Sequence, residues 1–363
     1  MDNHVSRRWF LNGALAAGAG LALAGCGSGD DDANPSGSAS TAGGAAAATS
    51  MLMGRNTTSN FTHVPLLLAA RQGYFSDEGL TLETTGLSSA ALPAALIGED
   101  IGSAYLGVAG TLLDLTARGN DLVCVALATY NNPNNFVVAE SFLSSVGVSV
   151  DDPLEDRIQA LESARFAATD PGAGTEVTIK AVMEDAGVDP EGLNISYLRD
   201  IGTFVGAMQQ GNVDAFAVFS PVPEQVTAQG FGVLYLSLAE SGIPQFDEMA
   251  WTSVWMRRDV AARDEAATQA LVRGLWRAQQ LIQEDPDAAR EAVRPDFADI
   301  PDDVFAEAWE NNLPTYPATP ELTAEGIQKA IDLHNRSAQE PFEGDPDDLF
   351  VSDYVDAVAD DFA

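Results

Sequence analysis

Along the body of the chain, short apolar runs alternate with stretches whose apolar positions recur every three or four residues. Five runs have the length and the apolar content of strands: Leu80–Thr84, Ile101–Leu106, Leu122–Ala128, Arg165–Asp170 and Asp214–Ser220. Between them lie helical patterns. HVPLLLAARQG (His63 to Gly73) has Pro65 near its start and Gly73 past its end, the usual asymmetry of helix termini. In TEVTIKAVMEDAG, Ile179, Val182, Met183 and Ala186 fall at i, i+3, i+4 and i+7, and Gly187 closes the segment. Such alternation predicts an α/β protein with mostly parallel sheets. The last third reads differently. Asp264 to Ala289, Asp302 to Asn311 and Glu321 to Ser337 are helix-rich, with scattered prolines. No internal repeat of fixed period is present.

The N-terminal pattern has a separate meaning. Arg7 and Arg8 precede the apolar run Ala14 to Gly25. A basic head before a short apolar stretch is a secretory signal, and paired arginines mark the twin-arginine form. The run is shorter than the roughly 20 residues a membrane span requires. LAGC (Leu23 to Cys26) resembles a lipobox, which makes Cys26 the expected lipidation site. From Gly27 to Ser50 there is no large side chain to bury. Such a segment cannot offset its ordering entropy and should be a disordered tether, with a mean reach of about 25–30 Å. Residues 1–25 are thus expected to be a signal and 26–50 a tether.

Composition narrows the function. The remaining chain, more than 300 of 363 residues, is long enough for two lobes with their own cores. The formal charge is −36. Residues 1–25 carry Asp2, Arg7 and Arg8, so the chain without them carries −37. Nucleic acid is therefore not an expected partner. Lys180 and Lys329 are the only lysines. An acidic, lysine-poor surface suits concentrated salt, which screens self-repulsion; codon usage favouring arginine explains part of it equally well. Besides Cys26 there is one cysteine, Cys124, in the apolar run LVCVALA, where a small core residue is expected rather than a nucleophile.

Three segments carry a family resemblance. PLLLAARQGYFSDEGLTLE (Pro65 to Glu83) resembles the opening of the nitrate, sulfonate, taurine and thiamine-pyrimidine-precursor branch of ABC-importer binding proteins, the NMT1-like group. FAATDPGAGTEVTIKAVMEDAGVDPEGLNISYL (Phe166 to Leu198) is similar to the start of that family's second lobe. AMQQGNVDAFAVFSPVPEQV (Ala207 to Val226) resembles its small-residue helix, G-x-V-D-A and strand. The three stand in family order and span roughly Asn60 to Val226. The resemblance implies the type II periplasmic-binding-protein fold, two α/β lobes joined by a two-strand hinge. The first lobe would comprise residues 51–130 and 236–363, the second residues 131–235. It further implies a small-molecule ligand, an ABC permease with its ATPase as partner, a monomer, no cofactor, no enzymatic activity, and a place outside the membrane held by lipidated Cys26.

In open α/β sheets, ligands sit beyond the carboxyl ends of strands. That rule selects five loops. Asn60, Thr62 and His63 offer hydrogen bonds before a helix, in a spacing that looks like the pyrimidine-precursor subgroup; His63 reads equally well as a capping residue. After the next strand, Gly107 would let backbone approach the ligand, and the Val108 and Ala109 amides are expected to begin a helix. Asp170, Gly172, Ala173, Gly174 and Thr175 form a strand-to-helix turn whose N–H groups favour an anion or a carbonyl oxygen; a plain structural turn is the competing reading. Ser220 and Glu224 flank a proline-stiffened turn. In FDEMAW (Phe246 to Trp251), Trp251 is placed either against a flat ligand or in the core.

These loops hold Asp170, Glu224, Asp247 and Glu248 and no Lys or Arg, with Arg199 as the nearest candidate cation. That balance favours a neutral or cationic ligand, such as a planar nitrogen heterocycle. Two other classes remain at this level. One is a sensing module coupled to a membrane receptor. The other is a pyrimidine-synthase-like enzyme, which would require a lysine and a histidine; only Lys180, Lys329, His63 and His334 are on offer beyond the signal.

Overall fold

The computed structural model describes residues 49–56, 60–88, 91–198, 201–338 and 340–362. Arg7, Arg8, Cys26, the stretch 27–48, Ser59 and Arg199 lie outside the described residues.

Ten strands form two five-stranded sheets. They are β1 (Thr49–Asn56), β2 (Leu80–Leu87), β3 (Ser103–Gly107), β4 (Leu122–Tyr130), β5 (Asn134–Ala139), β6 (Arg165–Ala168), β7 (Asn194–Tyr197), β8 (Ala215–Phe219), β9 (Gly232–Ser237) and β10 (Ala250–Arg257). The first sheet has the order β2-β1-β3-β10-β4, the second β7-β6-β8-β5-β9. Both are parallel except for one strand each: β10 runs against β3 and β4, and β5 runs against β8 and β9. The chain passes from the first sheet to the second at 131–133, after β4, and returns at 238–249, before β10. This is the two-lobed α/β arrangement of type II periplasmic-binding proteins, with two crossings between the sheets.

The five strands expected from the apolar runs are present with boundaries shifted by one to three residues at most ends. β4 and β5 are buried along nearly their whole length, which is why β4 reads as an unbroken apolar run. Cys124 sits on β4 with no exposure. Burial pushes its thiol up to about 12, against a smaller lowering by the Ser253 hydroxyl that donates to it at 3.1 Å. It is a core residue, not a nucleophile.

Helix Gly174–Asp185 buries Ile179, Val182 and Met183, as its periodicity predicts. Two helices of the C-terminal third bridge the sheets. Ala324–Asn335 packs on β10 and on helix Gly174–Asp185. Asp302–Asn312 packs on the 3-10 turn Phe61–His63 and on helix Val222–Gln229. Just past the first of these helices, Arg336 reaches Glu184 and Asp185 at 2.9 Å each. No helix among the described residues is long and apolar enough to cross a membrane.

Candidate ligand-binding site

The loops after β3 and β6 face one another across a cavity of about 400 Å³. Gly110 and Thr111 line it from the first sheet, Pro171 and Gly172 from the second. Asp114, on the helix that Thr111 starts, and Arg118, at that helix's C-cap, contribute side chains. His334, Ser337, Ala338 and Glu340 close it from the C-terminal segment. Sequence reasoning selected the two loops but not Asp114, Arg118, Ser337 or Glu340. Nothing local marks them, because the cavity forms only when residues more than 200 positions apart pack together.

The charges in this cavity lean acidic. Arg118 pairs with Glu340 at 3.2 Å and is neutralised by it, which leaves Asp114 in excess. His334 Nε2 lies 3.3 Å from Asp114 Oδ1, close enough for an ion pair but without the alignment of a hydrogen bond. Burial lowers the His334 pKa, and Asp114 opposes that without reversing it. A neutral imidazole beside a carboxylate offers both a donor and an acceptor to a ligand.

In the DPGAGT turn, Gly172 has φ +77°, a left-handed conformation that glycine adopts without strain. Its N–H donates to Glu176 Oε2 at 2.5 Å. Burial alone would raise Glu176; the Gly172 N–H, the Tyr197 hydroxyl and Lys180 outweigh it and hold the carboxyl below its usual range. The chain thus supplies its own anion to one N–H of this turn. Thr175 Oγ1 accepts from the Thr169 N–H at 3.0 Å and lies 3.1 Å from the Thr169 hydroxyl, so it ties the turn to the end of β6. Ala173 donates to the Asp170 carbonyl and is the N-cap of the helix that Gly174 begins.

The other candidates do not line this cavity. Asn60, Thr62 and His63 form a closed capping arrangement. Asn60 Oδ1 accepts from the Thr62 N–H at 2.9 Å and the Thr62 hydroxyl at 2.6 Å, and His63 Nδ1 accepts from the Asn60 N–H at 3.2 Å. The His63 ring stacks on Tyr105 and is buried; burial, then the charge of Arg55, lowers its pKa to about 4. With Nδ1 accepting, the neutral ring carries its proton on Nε2. The Val108 N–H is spent on the Trp251 carbonyl at 2.8 Å, and the helix expected at Val108 and Ala109 begins at Thr111 instead. Gly107 pairs with Thr252 in the sheet. The half-buried Trp251 packs against the apolar core.

Ser220, joined to Pro221 by a cis peptide, and Glu224 are both fully buried. Glu224 Oε1 accepts from the Ser220 hydroxyl at 2.8 Å and from Asn311 Nδ2 at 2.9 Å; Asn312 Nδ2 donates to Ser220 Oγ at 2.7 Å. Burial raises the Glu224 pKa. These residues fasten helix Asp302–Asn312 to the second sheet.

A family model described as the NMT1-like family matches residues 45–295. The chain belongs to the NMT1-like family. No curated protein sequence matches it. Among solved structures, this NMT1-like chain is similar to the periplasmic aliphatic sulphonate binding protein SsuA from Escherichia coli. The identity is 18%, the TM-score 0.65, and the match covers 85% of this chain and 99% of that one. It is also similar to the periplasmic nitrate-binding protein NrtA from Synechocystis PCC 6803, with 17% identity, a TM-score of 0.64 and coverage of 86% and 89%. The desulfurization enzyme DSZB matches too, with 12% identity, a TM-score of 0.61 and coverage of 87% and 100%. At these identities the likeness is one of fold, and most of the family and its neighbours are binding proteins. Among the described residues no group of His, Cys, Asp and Glu is arranged to hold a metal ion.

Proposed function

We propose that this NMT1-like chain is an exported, lipid-anchored solute-binding protein that holds a small molecule between its two lobes and delivers it to an ABC permease driven by its ATPase. The observation that carries this reading is the cavity lined at once by Gly110 and Thr111 of the first sheet and Pro171 and Gly172 of the second. Contacts from both lobes are what let a ligand stabilise a closed form. Asp114 and His334 are the side chains offered to the ligand. Their acidic balance, with Arg118 held by Glu340, favours a neutral or cationic molecule over an oxyanion. Asn60, Thr62 and His63 support the loop after β1 rather than grip the ligand.

A thermal-shift screen of the purified chain in molar salt tests this, with pyrimidines, amines, sulfonates, nitrate and flavins as ligands. One class should raise the unfolding temperature in a concentration-dependent way. No response to any class would count against solute capture.

A further inference from the structure

Four Asn-x-Ser/Thr tripeptides, with x other than proline, occur in the chain, at Asn56, Asn60, Asn194 and Asn335. Such a tripeptide is the acceptor sequence for N-linked sugar in exported proteins. Sequence alone ranks the four equally. The fold does not, because a transferase acting on the folded chain needs an acceptor carboxamide that is exposed and unengaged.

Two of the four are tied into the structure. Asn60 Oδ1 accepts from the Thr62 N–H and from the Thr62 hydroxyl, and Thr62, which supplies the tripeptide's hydroxyl, is buried. Asn335 donates through Nδ2 to the Phe342 carbonyl at 2.9 Å and accepts from the Phe342 N–H at 2.8 Å. Both asparagines are half-buried, so releasing either one costs hydrogen bonds that water replaces poorly. The tripeptide at Asn56 runs into Thr57 and Thr58, which lie outside the described residues.

Asn194 is unlike them. It is the first residue of β7 and is exposed; Ser196, two positions on and therefore on the same face, is exposed too. Neither side chain forms a hydrogen bond among the described residues. Ile195 between them packs against the core, so the strand holds the acceptor and its hydroxyl outward.

Topology makes the position available. β7 ends the order β7-β6-β8-β5-β9 and pairs with β6 alone. An open strand edge invites another strand, and proteins block it with charges, proline or a covering element. β7 reads Asn-Ile-Ser-Tyr, with neither charge nor proline, and its Tyr197 is 43% exposed. β7 also runs parallel to β6, so Asn194 stands at the amino edge of the sheet. The cavity loop follows β6 at the opposite, carboxyl edge, about 10 Å of strand away. A bulky substituent on Asn194 shields the open edge and leaves the cleft free. One on Asn335 would crowd the cavity, since the adjacent His334 lines it.

We propose that Asn194 is an N-glycosylation site, modified outside the membrane by an oligosaccharide from a lipid-phosphate donor. The carboxamide nitrogen of Asn194 bonds to the anomeric carbon of the sugar, and the sugar–phosphate C–O bond breaks. The lipid phosphate leaves with the electron pair, and one carboxamide proton passes to a base. This inference rests on the export part of the reading above, because the chain meets donor and transferase only once it is outside.

The test is peptide mass spectrometry of the full chain isolated from the membranes of its native cell. Trypsin cuts after Lys180 and Arg199 and so isolates Asn194, with no other asparagine, in peptide 181–199. That peptide should carry a mass gain made of sugar units, and peptide 330–336, which holds Asn335, should be bare. Asn194→Gln and Ser196→Ala should each abolish the gain. Ser196→Thr keeps the acceptor tripeptide and should keep the gain, which separates loss of the acceptor from loss of the fold. A bare peptide 181–199 from chain that carries its lipid anchor overturns the inference and leaves export standing. A sugar gain that survives Ser196→Ala overturns it as well. Chain found only inside the cell, and bare, counts against both the inference and the export reading.

Discussion

Asn131 Oδ1 accepts a hydrogen bond of 2.7 Å from the N–H of Glu248. The two residues belong to the two different crossings between the sheets, and both hold left-handed backbone, at φ +58° and +55°. Asn131 Nδ2 also donates to the Pro314 carbonyl at 2.8 Å. One side chain thus clasps both crossings and the turn after helix Asp302–Asn312.

Replacing this clasp should separate its side-chain and backbone parts. Asn131→Gly keeps the left-handed conformation and removes two hydrogen bonds, at an expected cost of about 1–3 kcal/mol. Asn131→Ala should cost about 1 kcal/mol more, because alanine is strained at positive φ. Denaturant unfolding of the two variants measures the difference. Equal stability of both would mean that the backbone conformation relaxes freely.

His63 should make stability depend on pH in a definite direction. Its folded pKa is lowered from 6.5 to about 4. Above pH 6.5 the ring is neutral in both states and contributes no pH dependence. Between 6.5 and about 4 the unfolded chain takes up a proton that the fold refuses, so stability falls as pH falls, by up to about 3 kcal/mol. His63→Gln retains an acceptor at the capping position and removes the titration. Unfolding at pH 7 and pH 4.5 should show a smaller loss in the variant. The same loss in both would assign the pH dependence to other groups.

The legible parts of this fold were those whose side chains obey one rule at a time. β4 is buried on both faces and reads as an apolar run. Helix Gly174–Asp185 shows its buried stripe. β1 was missed because its buried positions are Met51, Met53 and Gly54, and Gly54 lies where an added Cβ would come within 2.6 Å of Leu92 and Ile101. β5 was missed because Asn134 and Asn135 read as loop residues, asparagine being poor in strands. In the site, the turns after β3 and β6 followed from strand order and glycine placement. His334 and Asp114 did not, since their meeting depends on how the last third wraps across both sheets. His63 kept two readings in the sequence, and the reciprocal bonds with Asn60 favour the capping one.

The acidic surface predicts a salt response. With a formal charge of −36, exposed carboxylates repel over about 10 Å at 0.1 M salt and about 3 Å at 1 M. The unfolding temperature should therefore rise markedly into molar salt. A flat profile would assign the composition to codon usage.

The proposed anchor has a direct test. Cys26→Ala should leave the precursor unprocessed and without lipid, because no other thiol stands near the signal. Lipid labelling of that variant would refute the lipobox reading.

The central claim, that ligand is held between the lobes, is tested most directly by plugging the cavity from each side. Thr111→Trp fills it from the first sheet and Pro171→Trp from the second; both positions are exposed, so neither substitution disturbs the core. Titration calorimetry with the ligand class found in the screen should show binding weakened at least tenfold in each variant, with the unfolding temperature of the empty protein nearly unchanged. Unchanged affinity in both would place the ligand elsewhere and contradict the account.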